Sequence, residues 1–165
     1  MMEYPSEITH MIHTEIRRIL ESRNQLDSFD TPDFTSVSYD WTGCYIYPRY
    51  QSITVREPYF FLGFDHETRC WYIQLGTTNW EKRGEIKEIV EPEMKGEEEE
   101  VESPWIDYIY GWFIQKVTNP ESDIALVMSV AEKTVNFIIK VDSVLRGRYS
   151  IEQKYQTLQL NLDSD

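Results

Sequence analysis

Between residues 34 and 80, aromatic and β-branched residues alternate with polar ones, and this pattern constrains the fold more than any other feature of the chain. Side chains that repeat every two residues line one face of a strand, whereas a helix needs a repeat near 3.6. The alternation is visible in Val37–Trp41, continues at Tyr45 and Tyr47, and returns in Ser52–Arg56. The whole segment is therefore predicted to form β-strands.

The strongest strand pair is predicted at the end of this segment. Tyr59–Phe64 is apolar on both faces, which is typical of a central strand covered on both sides. Arg69–Leu75 alternates two sets of residues, and the polar turn Asp65–Thr68 separates the two runs. Together these features predict a β-hairpin over Tyr59–Leu75.

Two segments have helical periodicity. Ser6–Arg23 is predicted to be an amphipathic helix, because its apolar residues recur at steps of three and four: Ile8, Met11, Ile12, Ile16, Ile19 and Leu20. A longer helix is predicted over Pro120–Arg146, with Asn119 as its N-cap and Gly147 as its stop. Two apolar stripes indicate burial on much of its circumference; one contains Ile124, Val127, Met128, Ala131, Val135, Ile138 and Leu145, the other Leu126, Val130, Phe137, Val141 and Val144.

Three segments are less clearly patterned. Ser103–Val117 fits a helix start at Ser103-Pro104, but its alternating apolar residues favour a strand. Thr77–Glu102 fits either a helix or a strand. The alternating leucines of Thr157–Leu162 predict a short edge strand.

These elements predict a single α+β domain over residues 1–165. A mostly antiparallel sheet of about five strands packs against the long helix, with the N-terminal amphipathic helix beside it. The glutamate run within residues 92–103 is predicted to be a mobile acidic loop, because like charges repel and remain solvated.

The charge balance restricts the partners. With 16 Lys and Arg against 29 Asp and Glu, the chain carries a net charge of −13, which opposes binding to phosphate backbones and anionic membranes. A partner with a basic surface is favoured instead. The apolar runs are too short to span a membrane, and the first residues lack the pattern of a signal peptide, so a cytoplasmic protein is predicted.

One catalytic constellation is present in the sequence. Asp65 followed by Glu85-Ile86-Lys87 resembles the D…E-x-K pattern of the PD-(D/E)XK nucleases. That resemblance implies that Asp65 and Glu85 hold Mg²⁺ while Lys87 positions the attacking water. A nuclease or nuclease-derived domain is the alternative hypothesis, weighed against a second E-x-K at residues 93–95 and the absence of a basic groove.

The remaining reactive residues are interpreted as structural. Glu7, His10 and His13 could supply metal ligands from adjacent helical turns, but a single Glu-x-x-His step provides at most half of a dinuclear site. No metal is therefore predicted, and His10 and His13 are interpreted as residues at the surface or boundary of the helix. Cys44 and Cys70 lie among aromatic residues in predicted strands and are interpreted as buried thiols. The sequence contains no strong catalytic motif, which favours a protein without enzymatic activity.

The aromatic residues are the most informative positive feature. Of 23 aromatic residues, twelve lie in Tyr39–Trp80 and five in Trp105–Phe113, which is more ring surface than one sheet face can bury. Tyr and Trp are enriched at protein interfaces. We therefore predict an acidic protein-binding module, an inhibitor or regulator of a basic partner, with these binding residues: Glu97, Glu98, Glu99, Glu100, Trp105, Tyr108, Tyr110 and Trp112.

Overall fold

The computed structural model describes residues 6–31, 35–37, 42–48, 58–65, 67–77, 83–94, 108–117 and 123–163, the last 17 as backbone. The helices are α1 (Ser6–Ser22), α2 (Arg83–Val90) and α3 (Asp123–Asp163). The strands are β1 (Phe29–Asp30), β2 (Thr35–Val37), β3 (Thr42–Pro48), β4 (Tyr59–Asp65), β5 (Cys70–Gly76) and β6 (Tyr108–Lys116). The predicted α+β class is confirmed, with six strands where about five were expected.

The six strands form one antiparallel sheet in which β3, β4, β5 and β6 are neighbours in the order of the sequence. Its order is β1-β3-β4-β5-β6, and β2 also pairs with β3. β1 and β2 pair with successive parts of β3, through Asp30 opposite Tyr47 and Thr35 opposite Cys44. The predicted hairpin is confirmed as β4 and β5, and β4 lies in the interior of the sheet.

The helices cover one face of this sheet, which we call the inner face. Alternate residues of the strands enter a single core with the buried residues of all three helices. The inner-face residues are Cys44, Ile46, Phe60, Leu62, Phe64, Trp71, Ile73, Leu75, Trp112 and Ile114. Trp112 of β6 stacks on Phe137 of α3, with ring centroids 6.0 Å apart. The strand alternation therefore places the core between the sheet and the helices.

Helices α1 and α3 pack on each other. Near the end of α1, the Arg23 guanidinium donates to the side-chain oxygen of Asn136 at 2.8 Å. Further along both segments, Arg146 donates to the carbonyl of Ser28 at 3.0 Å. These two contacts join the first part of the chain to its last helix.

A polar cluster attaches α3 to the edge strand β6. The Lys133 ammonium donates to Gln115 Oε1 at 2.9 Å and to the carbonyl of Ile114 at 3.2 Å, and the Ser129 hydroxyl donates to the same Gln115 oxygen. The ladder between β5 and β6 shifts register at this point. The carbonyl that accepts from Lys133 therefore lies where the regular ladder is interrupted.

A second polar cluster holds the start of the sheet against α1. Thr31 and His13 are buried, and His13 Nε2 donates to the Thr31 carbonyl at 3.2 Å. Arg17 donates to the same carbonyl at 3.1 Å and to the Thr31 hydroxyl at 2.6 Å. His13 is therefore a structural residue rather than a surface residue, and the sequence pattern did not separate it from the exposed His10.

The C-terminal part of α3 differs from the prediction. The helix continues through Gly147 to Asp163, so the predicted stop at Gly147 and the edge strand over Thr157–Leu162 are both wrong. A glycine costs a helix only about 1 kcal/mol, which a long helix can absorb. Most residues of the two predicted stripes are buried or half-buried, but Ile124 and Met128 are exposed.

Two segments whose pattern did not separate helix from strand can be compared with the structure where it describes them. The strand prediction for Ser103–Val117 is confirmed over β6, and Thr77–Glu102 contains the helix α2. A 3₁₀-helix at Glu91–Met94 overlaps the start of the predicted acidic loop. Residues 95–103, the predicted strand at residues 52–56 and the predicted cap at residues 119–120 lie outside the described part. Within that part, no helix is long and apolar enough to cross a membrane.

Candidate functional site

The face of the sheet turned away from the helices carries a cluster of aromatic rings, and we call it the outer face. Its side chains alternate with the inner-face residues and are not part of the core between sheet and helices. The outer face has five described rings, from Tyr45, Tyr47, Tyr59, Phe61 and Tyr72. Because side chains alternate along each strand, both faces of the sheet carry aromatic rings. The rings of the inner face belong to the core, and those of the outer face do not.

The rings of the outer face contact one another across three strands. Tyr45 lies at the centre of the cluster, with its ring centroid 5.0 Å from Phe61, 5.6 Å from Tyr59 and 5.9 Å from Tyr47. The Tyr45 and Tyr47 rings are nearly parallel, at 10°. Phe61 continues the cluster to Tyr72 on β5, at 6.2 Å. Ring pairs at these separations are favourable beyond their burial.

The rings of the cluster fall into two groups, those that are buried and those that are half-buried. Tyr59 and Phe61, on the interior strand β4, are each only 7% exposed. Tyr45, Tyr47 and Tyr72 are half-buried. A half-buried tyrosine combines a large apolar ring with a polar hydroxyl, which is the combination enriched at protein interfaces. The accessible part of the outer face therefore consists of tyrosines held in place by packed rings.

The environment of the outer face disfavours ionisation of one of its rings, Tyr72. Burial, together with the Asp65 carboxylate and Tyr45, raises the pKa of Tyr72 to about 12. A phenolate at this position would lose hydration and face a carboxylate, so Tyr72 keeps its proton to a higher pH than an ordinary tyrosine does.

The Asp65 carboxylate also holds the hairpin turn. Its Oδ1 accepts the backbone N–H of Glu67 at 3.0 Å, and its Oδ2 accepts the Thr68 hydroxyl at 2.8 Å. These bonds are typical of an aspartate that stabilises a turn. The following residue in the turn region, Arg69, has a positive φ of 55°, which a tight connection between two strands requires.

The residues of the nuclease hypothesis lie on two elements, Asp65 at the end of β4 and Glu85 and Lys87 on α2. Asp65 ends β4 and belongs to the outer face, whereas Ile86 of α2 is buried in the core on the inner face. Glu85 and Lys87 flank Ile86 on a helix, where residues two apart point in different directions. Among the described residues, no three His, Cys, Asp or Glu side chains form a group that could hold a metal ion.

The predicted binding residues are placed as follows. Glu97–Glu100 and Trp105 lie outside the described residues, and Tyr108 and Tyr110 are described as backbone of β6. Trp112 is 2% exposed and stacks on Phe137, so it serves the core and offers almost no surface to a partner. Strand alternation alone could not distinguish the core face of β6 from its other face.

The outer-face tyrosines were not chosen individually from the sequence, although a signal for them exists. Tyr45 and Tyr47 alternate with Cys44 and Ile46, and only the latter pair is fully buried in the core. Because successive side chains of a strand point to opposite faces, tyrosines that alternate with two apolar core residues face the other side of the sheet. This signal could have separated the two faces of β3.

The cysteines have the structural role predicted for them. Cys44 is fully buried, and burial raises the pKa of its thiol to about 12, so it is protonated at neutral pH and a poor nucleophile. Cys70 is 9% exposed, and its thiol contacts the Thr68 carbonyl at 3.6 Å. Both are free thiols of a folded interior.

Comparison with known proteins gives no match to a protein-family model, to a curated protein or to a solved structure. Function must therefore be inferred from the residues and geometry of the chain itself.

Proposed function

We propose that this chain is a protein-binding domain that engages a partner with a basic surface through the tyrosines of the outer face. The observation that carries the proposal is the stacked pair Tyr45 and Tyr47, half-buried on β3 with ring centroids 5.9 Å apart. A pair of tyrosines fixed in this way loses little conformational freedom when a partner covers it.

The supporting rings strengthen this proposal. Tyr59 is buried, and its ring contacts both half-buried tyrosines of β3. Its ring centroid lies 5.6 Å from that of Tyr45 and 6.3 Å from that of Tyr47. Interfaces concentrate their binding energy in aromatic side chains packed around a preformed centre. The tyrosines of β3 have such a centre beneath them, so their positions do not depend on the partner.

The charge of the chain favours one class of partner. A net charge of −13 repels nucleic acids and acidic proteins and attracts a basic protein surface. Tyrosine ring faces also attract Lys and Arg side chains. The glutamates at residues 97–100 add to the long-range attraction, which raises the association rate more than it slows dissociation.

The experiment uses the full chain as bait, with a variant that removes both rings. Tyr45→Ser with Tyr47→Ser leaves the buried supports in place, and Tyr45→Phe with Tyr47→Phe keeps the ring area as a matched control. A basic protein captured at low salt is expected to be lost with the serine variant and retained with the phenylalanine variant. Capture that the serine variant leaves unchanged would contradict the proposal.

Once a partner is identified, its association kinetics test the acidic segment. Replacement of Glu97–Glu100 by Gln is expected to slow association at low ionic strength and to change dissociation little. Stopped-flow measurements at several salt concentrations separate the two rates. An association rate that is unaffected at every salt concentration would show that these glutamates do not take part in steering.

A further inference from the structure

A groove of about 260 Å³ lies between α1 and α3, on the helical side of the molecule. Its lining includes Glu15, Arg18 and Ser22 from α1, Arg23 just after α1, and Met128 and Glu132 from α3. It is separate from the outer face, because the sheet lies between the two. The surface of this groove is thus independent of the tyrosines proposed to bind a basic partner.

Two apolar side chains beside the groove are exposed. Ile124 is 65% exposed and Met128 is 51% exposed, and they are the large apolar side chains that the described part of the chain leaves on its surface. They are one helical turn apart on α3, so they lie on the same side of the helix. Met128 lines the groove, and Ile124 lies one turn before it, so both offer exposed apolar surface at this end of α3.

The charges around Met128 are balanced, unlike those of the whole chain. Glu15 and Arg18 form an ion pair at 2.5 Å, and Arg23 and Glu132 add one charge of each sign. The groove is therefore neutral in a protein of net charge −13. Because a two-fold interface places a patch against its own copy, a patch with both signs can meet itself, whereas an acidic patch repels itself.

We propose that this groove is a self-association surface, in which Ile124 and Met128 of one copy pack against the α1–α3 groove of a second copy. Two α1–α3 pairs then form a four-helix arrangement around a two-fold axis. The apolar side chains become buried, and the acids and bases at the rim can face their opposites. This inference goes beyond the proposed function and does not rest on it.

Sedimentation equilibrium of the full chain tests the proposal at about 0.05 M and about 0.5 M salt. Salt screens the repulsion between two acidic molecules but leaves an apolar contact in place, so dimerisation is expected to strengthen with salt. Binding of a basic partner has the opposite salt dependence, which distinguishes the two proposals. Met128→Glu is expected to weaken the dimer at least about tenfold, equivalent to about 1.4 kcal/mol.

Ser143→Glu is the matched control, because it adds the same charge at an exposed position of α3 about 22 Å further along the helix. It is expected to leave dimerisation unchanged. Ile124→Glu gives a second test at a side chain whose exposure makes unfolding by the substitution unexpected. A chain that stays monomeric up to about 1 mM, or a dimer that both groove variants leave intact, overturns the proposal.

Discussion

Gly43 and Gly63 lie directly opposite each other on β3 and β4, and the ring of Phe61 covers both of them. A Cβ atom at Gly63 would come within 2.6 Å of Phe61 and of the Tyr72 ring. A Cβ atom at Gly43 would lie 2.5 Å from Phe61 and closer still to the backbone oxygen of Leu62. The aromatic layer of the outer face therefore rests on two residues that have no side chain.

Gly43→Ala is expected to lower the free energy of unfolding by about 3 kcal/mol, because a methyl group there meets backbone that cannot move aside. Urea denaturation measures the change. Gly84→Ala is the control, since nothing lies within 4 Å of its added methyl group, and it is expected to stabilise helix α2 by about 0.5–1 kcal/mol. Equal effects of the two substitutions would contradict the packing of Phe61 over Gly43.

Tyr72 is expected to ionise near pH 12, because burial and the Asp65 carboxylate raise its pKa above that of an ordinary tyrosine near 10. The absorbance difference at about 295 nm between the wild-type chain and Tyr72→Phe isolates this titration from the other tyrosines. A midpoint near pH 10 would contradict the buried position of the hydroxyl.

The same shift has a consequence for stability above pH 10. Between pH 10 and pH 12 the unfolded chain releases the Tyr72 proton while the folded chain retains it, so the free energy of unfolding falls as pH rises. The contribution is complete below pH 10 and lost above pH 12. Tyr72→Phe is expected to reduce this fall, and a pH dependence identical to that of the wild type would be inconsistent with the assignment.

Val135→Asp is expected to unfold the domain or to lower its stability by several kcal/mol, because Val135 has no exposed surface and the carboxylate would have no compensating charge. Ile138→Asp is equally buried and should behave in the same way. Ser143→Asp places the same group on the exposed side of α3 and should change the melting temperature little. If the Val135→Asp variant had the same melting temperature as the wild type, α3 would have to pack differently.

No cleavage of duplex or single-stranded nucleic acid is expected in the presence of Mg²⁺ or Mn²⁺. Asp65 lies on the outer face and holds the hairpin turn, while Glu85 and Lys87 flank the core-facing side of α2. Metal-dependent cleavage that disappears in both Asp65→Ala and Glu85→Ala would reverse this conclusion and favour the nuclease hypothesis.

Local periodicity predicted the elements that repeat a simple pattern over many residues. The stripe of isoleucines in α1 and the paired runs of β4 and β5 are long enough to separate a repeat of 3.6 from a repeat of two. Thr157–Leu162 has only three alternating leucines, which is too few to outweigh the cooperativity of a helix already formed before it.

The pattern of apolar residues could not predict which side chains the tertiary structure leaves exposed or how distant residues are placed. Ile124 and Met128 share the helical stripe of Val135, yet their side chains are exposed, whereas Val127 between them is buried in the core. The position of Glu85 relative to Asp65 likewise depends on how α2 packs on the core through Ile86. Sequence spacing carries no information about such long-range packing.

The packing of α1 on α3 also determines how the chain must be made. The β4–β5 hairpin closes over a short turn, whereas Arg23 and Asn136 are 113 residues apart. At about 5–20 residues per second, a ribosome needs roughly 6–23 s to synthesise that interval. During this time the part of α1 that packs on α3 has no native partner, so nascent chains are expected to need protection of these isoleucines until translation reaches the last helix.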